Sequence, residues 1–348
     1  MKDQRGRDAG ATSDELLEPL GAIMRPRVFV TRPLPTPTLD LLRAGCEVEL
    51  HPEDSPVAPA QLAEICGAHQ IEGLVVCGAR VTEQVVDGAN HLRVVSNVGV
   101  GYDNVDVAAC TRRQIPVTNT AGVLEETTAD LAFALLMAVA RRVVEGDRYV
   151  REGRWQQWQW SLLWGADIHH QTLGIYGLGS IGRAMARRGR GFSMRIIYHS
   201  RRRVDAAVES ELSATFVDRD TLFRESDFVS LHVPLTPETH HLVAARELSL
   251  MKPTAFLINT TRGKVVDEEA LAAALESHRI SGAGLDVFEQ EPRVHPALPG
   301  LPNVVLAPHI GSATMATRSR MAALAAENLL AALAGRRPPN VVNPEVYS

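Results

Sequence analysis

Residues Thr172 to Arg188, TLGIYGLGSIGRAMARR, constrain the fold more than any other stretch of the chain. The apolar run Leu173 to Tyr176 reads as a strand buried on both faces. Gly177, Gly179 and Gly182 then form a G-x-G-x-x-G, with Leu178, Ser180 and Ile181 completing the turn. A helix follows, with Ile181, Ala184 and Met185 on its apolar side and Arg183, Arg187 and Arg188 outside. The first glycine permits a tight turn and the second a close approach of backbone to a pyrophosphate. The third lets helix pack on strand, and the helix N-terminus presents free N–H groups and a partial positive charge. Glycine-rich turns are common, so the spacing alone is a weak signal. Its place between strand and helix, with a further strand at Arg195 to His199, makes it a dinucleotide site.

The end of that further strand bears on which dinucleotide. In an NAD site an acidic residue roughly 20 residues into the unit binds the ribose hydroxyls. Here Ser200 stands at that place, followed by Arg201, Arg202 and Arg203. Guanidiniums and a hydroxyl suit a 2′-phosphate, because arginine binds phosphate bidentately and keeps its charge. The loop favours NADP over NAD, with a solvated basic edge as the alternative.

A chain of 348 residues can carry two domains and a large core. Residues 1–24 are polar and without periodicity, and read as a mobile tail, with Met24 just before the first strand. Val28–Thr31, Cys46–Leu50, Gly73–Cys77, Val94–Asn97 and Pro116–Asn119 read as strands with helices between them, such as Pro37–Gly45 and Pro59–Gly67. This βα repeat is complete before the glycine motif begins, so it forms a parallel-sheet domain of its own. A second repeat runs from Leu173 to about residue 307 and adds ATFV, DFVSLHV, TAFLINT, SGAGLDV and VVLAP. The closing helix, Ala313 to Ala334, is expected to cross back to the first domain, where VVNPEVY finishes.

Glu125 to about Gly146 reads as one long helix. Its centre, Leu131 to Ala140, is apolar nearly all round and so is buried on more than one side. A second subunit or the interior of a monomer would cover it. The following segment concentrates Trp155, Trp158, Trp160 and Trp164, which points to packing against a neighbour and, with the helix, to a homodimer. A net charge of −5 gives no footprint for nucleic acid. The longest apolar run is too short to cross a bilayer, and the N-terminus lacks the apolar core of a secretory signal. Cys46, Cys66, Cys77 and Cys110 show no metal-ligand spacing, so no metal is expected, and a cytoplasmic setting fits them.

Ligands of open α/β sheets bind beyond the carboxyl ends of the strands. Arg262 follows LINT, Glu291 follows GAGLDV and His309 follows VVLAP. Singly they read as a salt-bridged arginine, a surface acid and a loop histidine; at strand ends of one nucleotide-binding sheet they can converge on one cleft. Hydride transfer to a 2-keto acid creates an alkoxide that must take a proton as it forms. A histidine, with an unperturbed pKa of ~6.5, suits that task. A carboxylate on its other nitrogen sets the tautomer and stabilises the imidazolium. An arginine gives the substrate carboxylate a planar two-point anchor.

The stretches NVGVGYDNVDV, IPVTNTAGVLEETTADLAFALL, TLGIYGLGSIGRA, LHVPLTPETHHLV, LINTTRGKVVDEEAL, GAGLDVFEQEP and APHIGSAT together resemble the D-isomer-specific 2-hydroxyacid dehydrogenase family, over residues 27 to about 342. The resemblance implies Arg262, Glu291 and His309 as the catalytic set, with Val100 and Gly101 as backbone contacts for the substrate carboxylate. It implies Thr127, Val233, Pro234, Thr239, Thr260 and Asp286 around the nicotinamide, with Arg262, His309 and Gly311 close by. The implied fold is α/β: two doubly wound parallel-sheet domains, a Rossmann cofactor domain (125–312) inserted in a flavodoxin-like substrate domain (25–124 and 313–348). A homodimer built on the long helix is implied as well.

Within the family the text is most similar to the glyoxylate/hydroxypyruvate reductase branch. That makes a small 2-keto acid the expected substrate and NADPH the expected reductant, NADH being the alternative. Two departures bear on the substrate and not on the reaction: Trp160, where that branch usually has proline, and CGARVT after the third strand. Reduction towards 3-phosphoglycerate or 2-ketogluconate chemistry is an alternative, the former disfavoured because no regulatory domain follows residue 348. Formate dehydrogenases pair the histidine with an amide where Glu291 stands. A nucleotide-sensing corepressor is the alternative outside enzymes.

Overall fold

Apolar runs such as GLVV, TLGIY and FVSL have no polar face to offer solvent. In the computed structural model each is a strand with every residue buried, as parallel sheets covered by helices on both sides require. The structure describes residues 25–348; the expected mobile tail lies outside the described residues. The first sheet comprises β1 (Arg27–Val30), β2 (Glu47–Leu50), β3 (Gly73–Val76), β4 (Val94–Asn97) and β5 (Val117–Thr118), in the order β2-β1-β3-β4-β5. This is the flavodoxin-like order. The second comprises β6 (Thr172–Tyr176), β7 (Arg195–His199), β8 (Ala214–Phe216), β9 (Phe228–Leu231), β10 (Phe256–Asn259), β11 (Gly282–Leu285) and β12 (Val304–Leu306), in the order β12-β11-β10-β9-β6-β7-β8. Counted from β8, that is the Rossmann order with one strand added. All the strand pairs within both sheets are parallel.

The order reverses at β6, where Leu173 aligns with Ile196 of β7 on one side and Phe228 of β9 on the other. The crevice beyond the carboxyl end of β6 is the switch point at which such sheets bind ligands.

The last helix, Met315–Leu333, returns to the first sheet. Its Ala325, Ala326 and Leu329 are buried with Val28, Val30, Val75 and Val94, and Ser96 Oγ donates to the Ala325 carbonyl at 2.7 Å. The tail follows it. Asn343 donates to the Ile115 carbonyl at 3.0 Å and accepts the Val117 amide at 2.7 Å.

One element differs from expectation. The single helix expected from Glu125 to Gly146 is two, Glu125–Ala140 and Val143–Arg151. No glycine or proline marks the break. Instead the Ala140 carbonyl accepts the amide of Ala166 at 2.8 Å. Arg142 then turns left-handed, with φ of 53°, and closes on Glu145 through two hydrogen bonds of 2.8 and 2.9 Å. A tertiary partner for one carbonyl ends the helix. Met137, Val143, Val144 and Val150 remain exposed, as do the four tryptophans, of which Trp158 and Trp160 are 73% and 77% accessible. Among the described residues no helix is long and apolar enough to cross a membrane.

Candidate active site

At the end of β6, Gly177 has φ of 99°, a conformation that side chains rarely hold. It packs against the His232 carbonyl and Val233, and a Cβ on Gly182 would overlap the Gly177 carbonyl. Nothing lies within 4 Å of the place a Cβ on Gly179 would occupy. The turn therefore leaves room at the N-terminus of helix Ser180–Gly191, where Ser180 and Ile181 start the first turn. Ser200 closes one side by accepting the Leu178 amide at 2.9 Å. Thr239 donates to the Pro234 carbonyl at 2.6 Å and closes the turn after β9. Thr260 Oγ1, just past β10, is buried without a hydrogen-bond partner among the described residues, an arrangement that costs about 1–3 kcal/mol unless a ligand bonds it. Open space over the glycine turn and an unpartnered buried hydroxyl fit a bound nicotinamide dinucleotide.

The arginine run divides in two. Arg203 bonds both oxygens of Glu209, at 2.8 and 2.7 Å. The same carboxylate accepts the Tyr198 hydroxyl at 2.7 Å, and Arg203 and Tyr198 together pull its pKa down to about 2. Arg201 and Arg202 are exposed and carry no ion pair among the described residues.

The three strand-end residues do converge. His309 Nδ1 lies 2.8 Å from Oε2 of Glu291, and Oε1 of Glu291 accepts the Phe288 amide at 3.0 Å. Burial raises the Glu291 carboxyl, but the His309 hydrogen bond and charge, the Phe288 amide and the nearby Arg262 charge outweigh it, so its pKa lies below the ordinary value. His309 itself has φ of 54°, a strain of roughly 1–3 kcal/mol for a residue with a side chain. Asp286 holds it there. Its buried carboxylate accepts the amides of Ile310 and Gly311, each at 2.7 Å, and its carbonyl accepts the His309 amide at 2.9 Å. Burial raises the pKa of that carboxyl.

Arg262 reaches across to the first sheet. Its Nε donates to Asp103 Oδ1 and its Nη1 to the Thr261 carbonyl, at 2.7 and 2.8 Å. Its Nη2 fills the space that a Cβ on Gly101 would need, so the guanidinium lies on the Gly101 backbone. The carbonyls of Val100 and Gly101 accept Asn119 and Asn97, both at 2.9 Å, while their amides have no partner among the described residues. A Cβ on Gly263 would overlap the Phe288 carbonyl, so the segments carrying Arg262 and Glu291 pack backbone to backbone. Thr127 bonds Thr317 hydroxyl to hydroxyl at 2.7 Å and ties the two domains together.

Asp103, Asn97 and Gly263 are the residues of this centre that sequence reasoning misses. Asp103 lies within NVGVGYDNVDV, two residues past the Val100–Gly101 backbone, and an acid so placed is the available signal for a partner to the arginine. The assembled groups can anchor a carboxylate, deliver a proton from an imidazole held by a carboxylate, and hold a dinucleotide alongside.

Residues 133–311 match the family described as D-isomer specific 2-hydroxyacid dehydrogenase, NAD binding domain. A glyoxylate reductase of Korarchaeum cryptofilum is 52% identical over 328 residues, 93% of this chain and 97% of that protein. One of Thermococcus gammatolerans is 50% identical over the same number of residues, with the same shares of each chain. Among solved structures, an NADPH-dependent glyoxylate/hydroxypyruvate reductase of Sinorhizobium meliloti, in complex with NADP and malonate, gives a TM-score of 0.81. Its identity to this chain is 35%, and the match covers 91% of this chain and 97% of that one.

Proposed function

The chain belongs to the D-isomer-specific 2-hydroxyacid dehydrogenase family, in its glyoxylate reductase branch, and we propose that it reduces glyoxylate and hydroxypyruvate with NADPH. The product has the D configuration where carbon 2 is a stereocentre. The observation that carries this reading is the His309–Glu291 pair at 2.8 Å, set beside an arginine laid on the Gly101 backbone.

Bound NADPH supplies the hydride to the carbonyl carbon. Arg262 and the amides of Val100 and Gly101 hold the substrate carboxylate, with Asp103 fixing the plane of the guanidinium. His309 gives the proton on Nε2 to the carbonyl oxygen as that oxygen becomes an alkoxide, and Glu291 on Nδ1 stabilises the charged imidazole beforehand. Holding donor and acceptor in register provides much of the acceleration. The turn from Gly177 to Gly182 binds the pyrophosphate; Val233, Pro234, Thr260 and Asp286 border the nicotinamide. Ser200, Arg201 and Arg202 receive the 2′-phosphate, a choice supported by the absence of a carboxylate at that strand end. Residues 125–312 act as the cofactor domain, and 25–124 with 313–348 as the substrate domain.

The exposed strip of Met137, Val143, Val144 and Val150 beside the tryptophan loop supports a homodimer. Four free cysteines suit a reduced, cytoplasmic setting.

Loss of coenzyme absorbance on mixing with NADPH and each of a panel of 2-keto acids tests the activity. Coenzyme binding without turnover on any of them would make the chain a nucleotide-binding protein instead.

A further inference from the structure

Beyond this centre, His240, His241 and Glu289 bring two imidazoles and a carboxylate together from segments far apart in the sequence. Their ligand-type atoms all lie within 4.8 Å of one another. His241 Nε2 lies 2.5 Å from Oε1 of Glu289, and the two imidazole rings are 4.1 Å apart between centroids. Two of the three are held firmly. The His241 amide donates to the Lys264 carbonyl at 2.8 Å. Glu289 is tied to Glu268 twice, its amide donating to the Glu268 carboxylate at 2.6 Å and its Oε2 accepting the Glu268 amide at 3.4 Å. The His240 side chain is exposed and has no hydrogen-bond partner among the described residues, so it can swing.

We propose that His240, His241 and Glu289 form a binding site for a divalent transition-metal ion of the zinc class. Two imidazoles and one carboxylate are a donor set such ions accept, at roughly 2.0–2.2 Å from each ligand atom. Donors at that distance from one tetrahedral ion stand roughly 3.3–3.6 Å apart, so the His241–Glu289 contact opens a little to admit the ion and the exposed His240 arm closes on it. The ion takes the place of the hydrogen bond between His241 Nε2 and Glu289, and the imidazole binds it in neutral form with its remaining N–H on Nδ1. The second oxygen of Glu289, held by the Glu268 amide, orients the carboxylate as an outer partner does in metal sites. Three protein ligands leave a further position for water.

The test uses the full chain, stripped with chelator and then freed of it, titrated with Zn²⁺ by calorimetry and with Co²⁺ by visible absorption. One ion per chain with micromolar affinity is expected, together with the intense visible bands of Co²⁺ in a low-coordinate nitrogen–oxygen site. His240→Ala leaves the His241–Glu289 hydrogen bond in place, so the metal-free fold and its melting temperature should be unchanged while Zn²⁺ affinity falls about ten-fold or more. Glu289→Gln should weaken binding as well. Absence of saturable binding at micromolar Zn²⁺, or equal affinity in wild type and His240→Ala, overturns the proposal. So does an affinity that survives His240→Ala and is lost in Glu291→Gln, which would seat the ion on the His309–Glu291 pair.

Discussion

Glu291 bridges a backbone loop and an imidazole: one oxygen accepts the Phe288 amide at 3.0 Å and the other lies 2.8 Å from His309 Nδ1. The carboxylate therefore cannot turn away from the histidine without abandoning a backbone donor. With its pKa below the ordinary value, it remains ionised throughout the neutral range and holds the imidazole in one tautomer.

If His309 delivers the proton, His309→Ala lowers kcat by about 10²–10⁴ while leaving NADPH affinity nearly intact. Steady-state kinetics and coenzyme titration measure the two separately, and a near-normal kcat would remove His309 from the role. Glu291→Gln tests the pairing. An ionised carboxylate favours the protonated imidazole and an amide does not. Keto-acid reduction needs the protonated form and fades as pH rises, so without Glu291 the fall begins at lower pH. A pH–rate profile identical to wild type would break the assignment.

The Arg262–Asp103 contact crosses the cleft between the two domains, and its removal should show chiefly in substrate saturation. Arg262→Lys keeps the charge and loses the planar fork, so KM for the best keto acid rises. Asp103→Asn raises KM by a smaller factor, because the guanidinium stays but its plane is less fixed. Gly101→Ala places a methyl group where Nη2 now lies and should raise KM about ten-fold or more, the equivalent of ~1.4 kcal/mol of lost binding. Unaltered kcat/KM in Arg262→Lys would mean that the carboxylate is held elsewhere.

On the proposed reading, coenzyme choice falls to Ser200, Arg201 and Arg202, since Arg203 is already taken by Glu209. A charge-assisted hydrogen bond contributes roughly 1.5–3 kcal/mol. Ser200→Asp combined with Arg201→Ala should therefore cost about ten-fold or more in NADPH affinity and turn preference towards NADH, through repulsion as much as through lost attraction. Comparison of kcat/KM for the two coenzymes decides it, and a wild-type preference for NADH would leave the loop as a solvated basic edge.

Assembly is expected to follow the exposed strip. Light scattering at micromolar concentration should give a dimer, and Met137→Asp with Val144→Asp should give monomers, because two charges would be buried against the partner without compensation. A monomeric wild type would refute the dimer.

Much of this fold was legible because the strands are buried on both faces and so announce themselves as continuous apolar runs, and because the glycine turn needs its residues at fixed spacing. The meeting of Arg262, Glu291 and His309 was legible for a topological reason: strand ends of one sheet must share one edge. What stayed hidden depends on contacts between distant residues. The helix break at Ala140 follows from the amide of Ala166, and no propensity within residues 125–146 signals it. Arg203 looked like its two neighbours until Glu209, in the helix that follows, claimed it. Asp103 lay in a recognised stretch, but its partner is 159 residues further along the chain.

The return of helix Met315–Leu333 to the first sheet has a consequence for how the protein is made. Strands β1 to β5 are made well before the last helix, so the apolar surface they share with Leu329 and the backbone groups bonded by Asn343 stay uncovered until residues 315–343 have followed. At ~5–20 residues per second that wait lasts roughly 10–40 s, long enough for the inserted second sheet to fold first. The sheet translated first is the last to be finished, and the nascent chain must keep its exposed face from other chains in the interval.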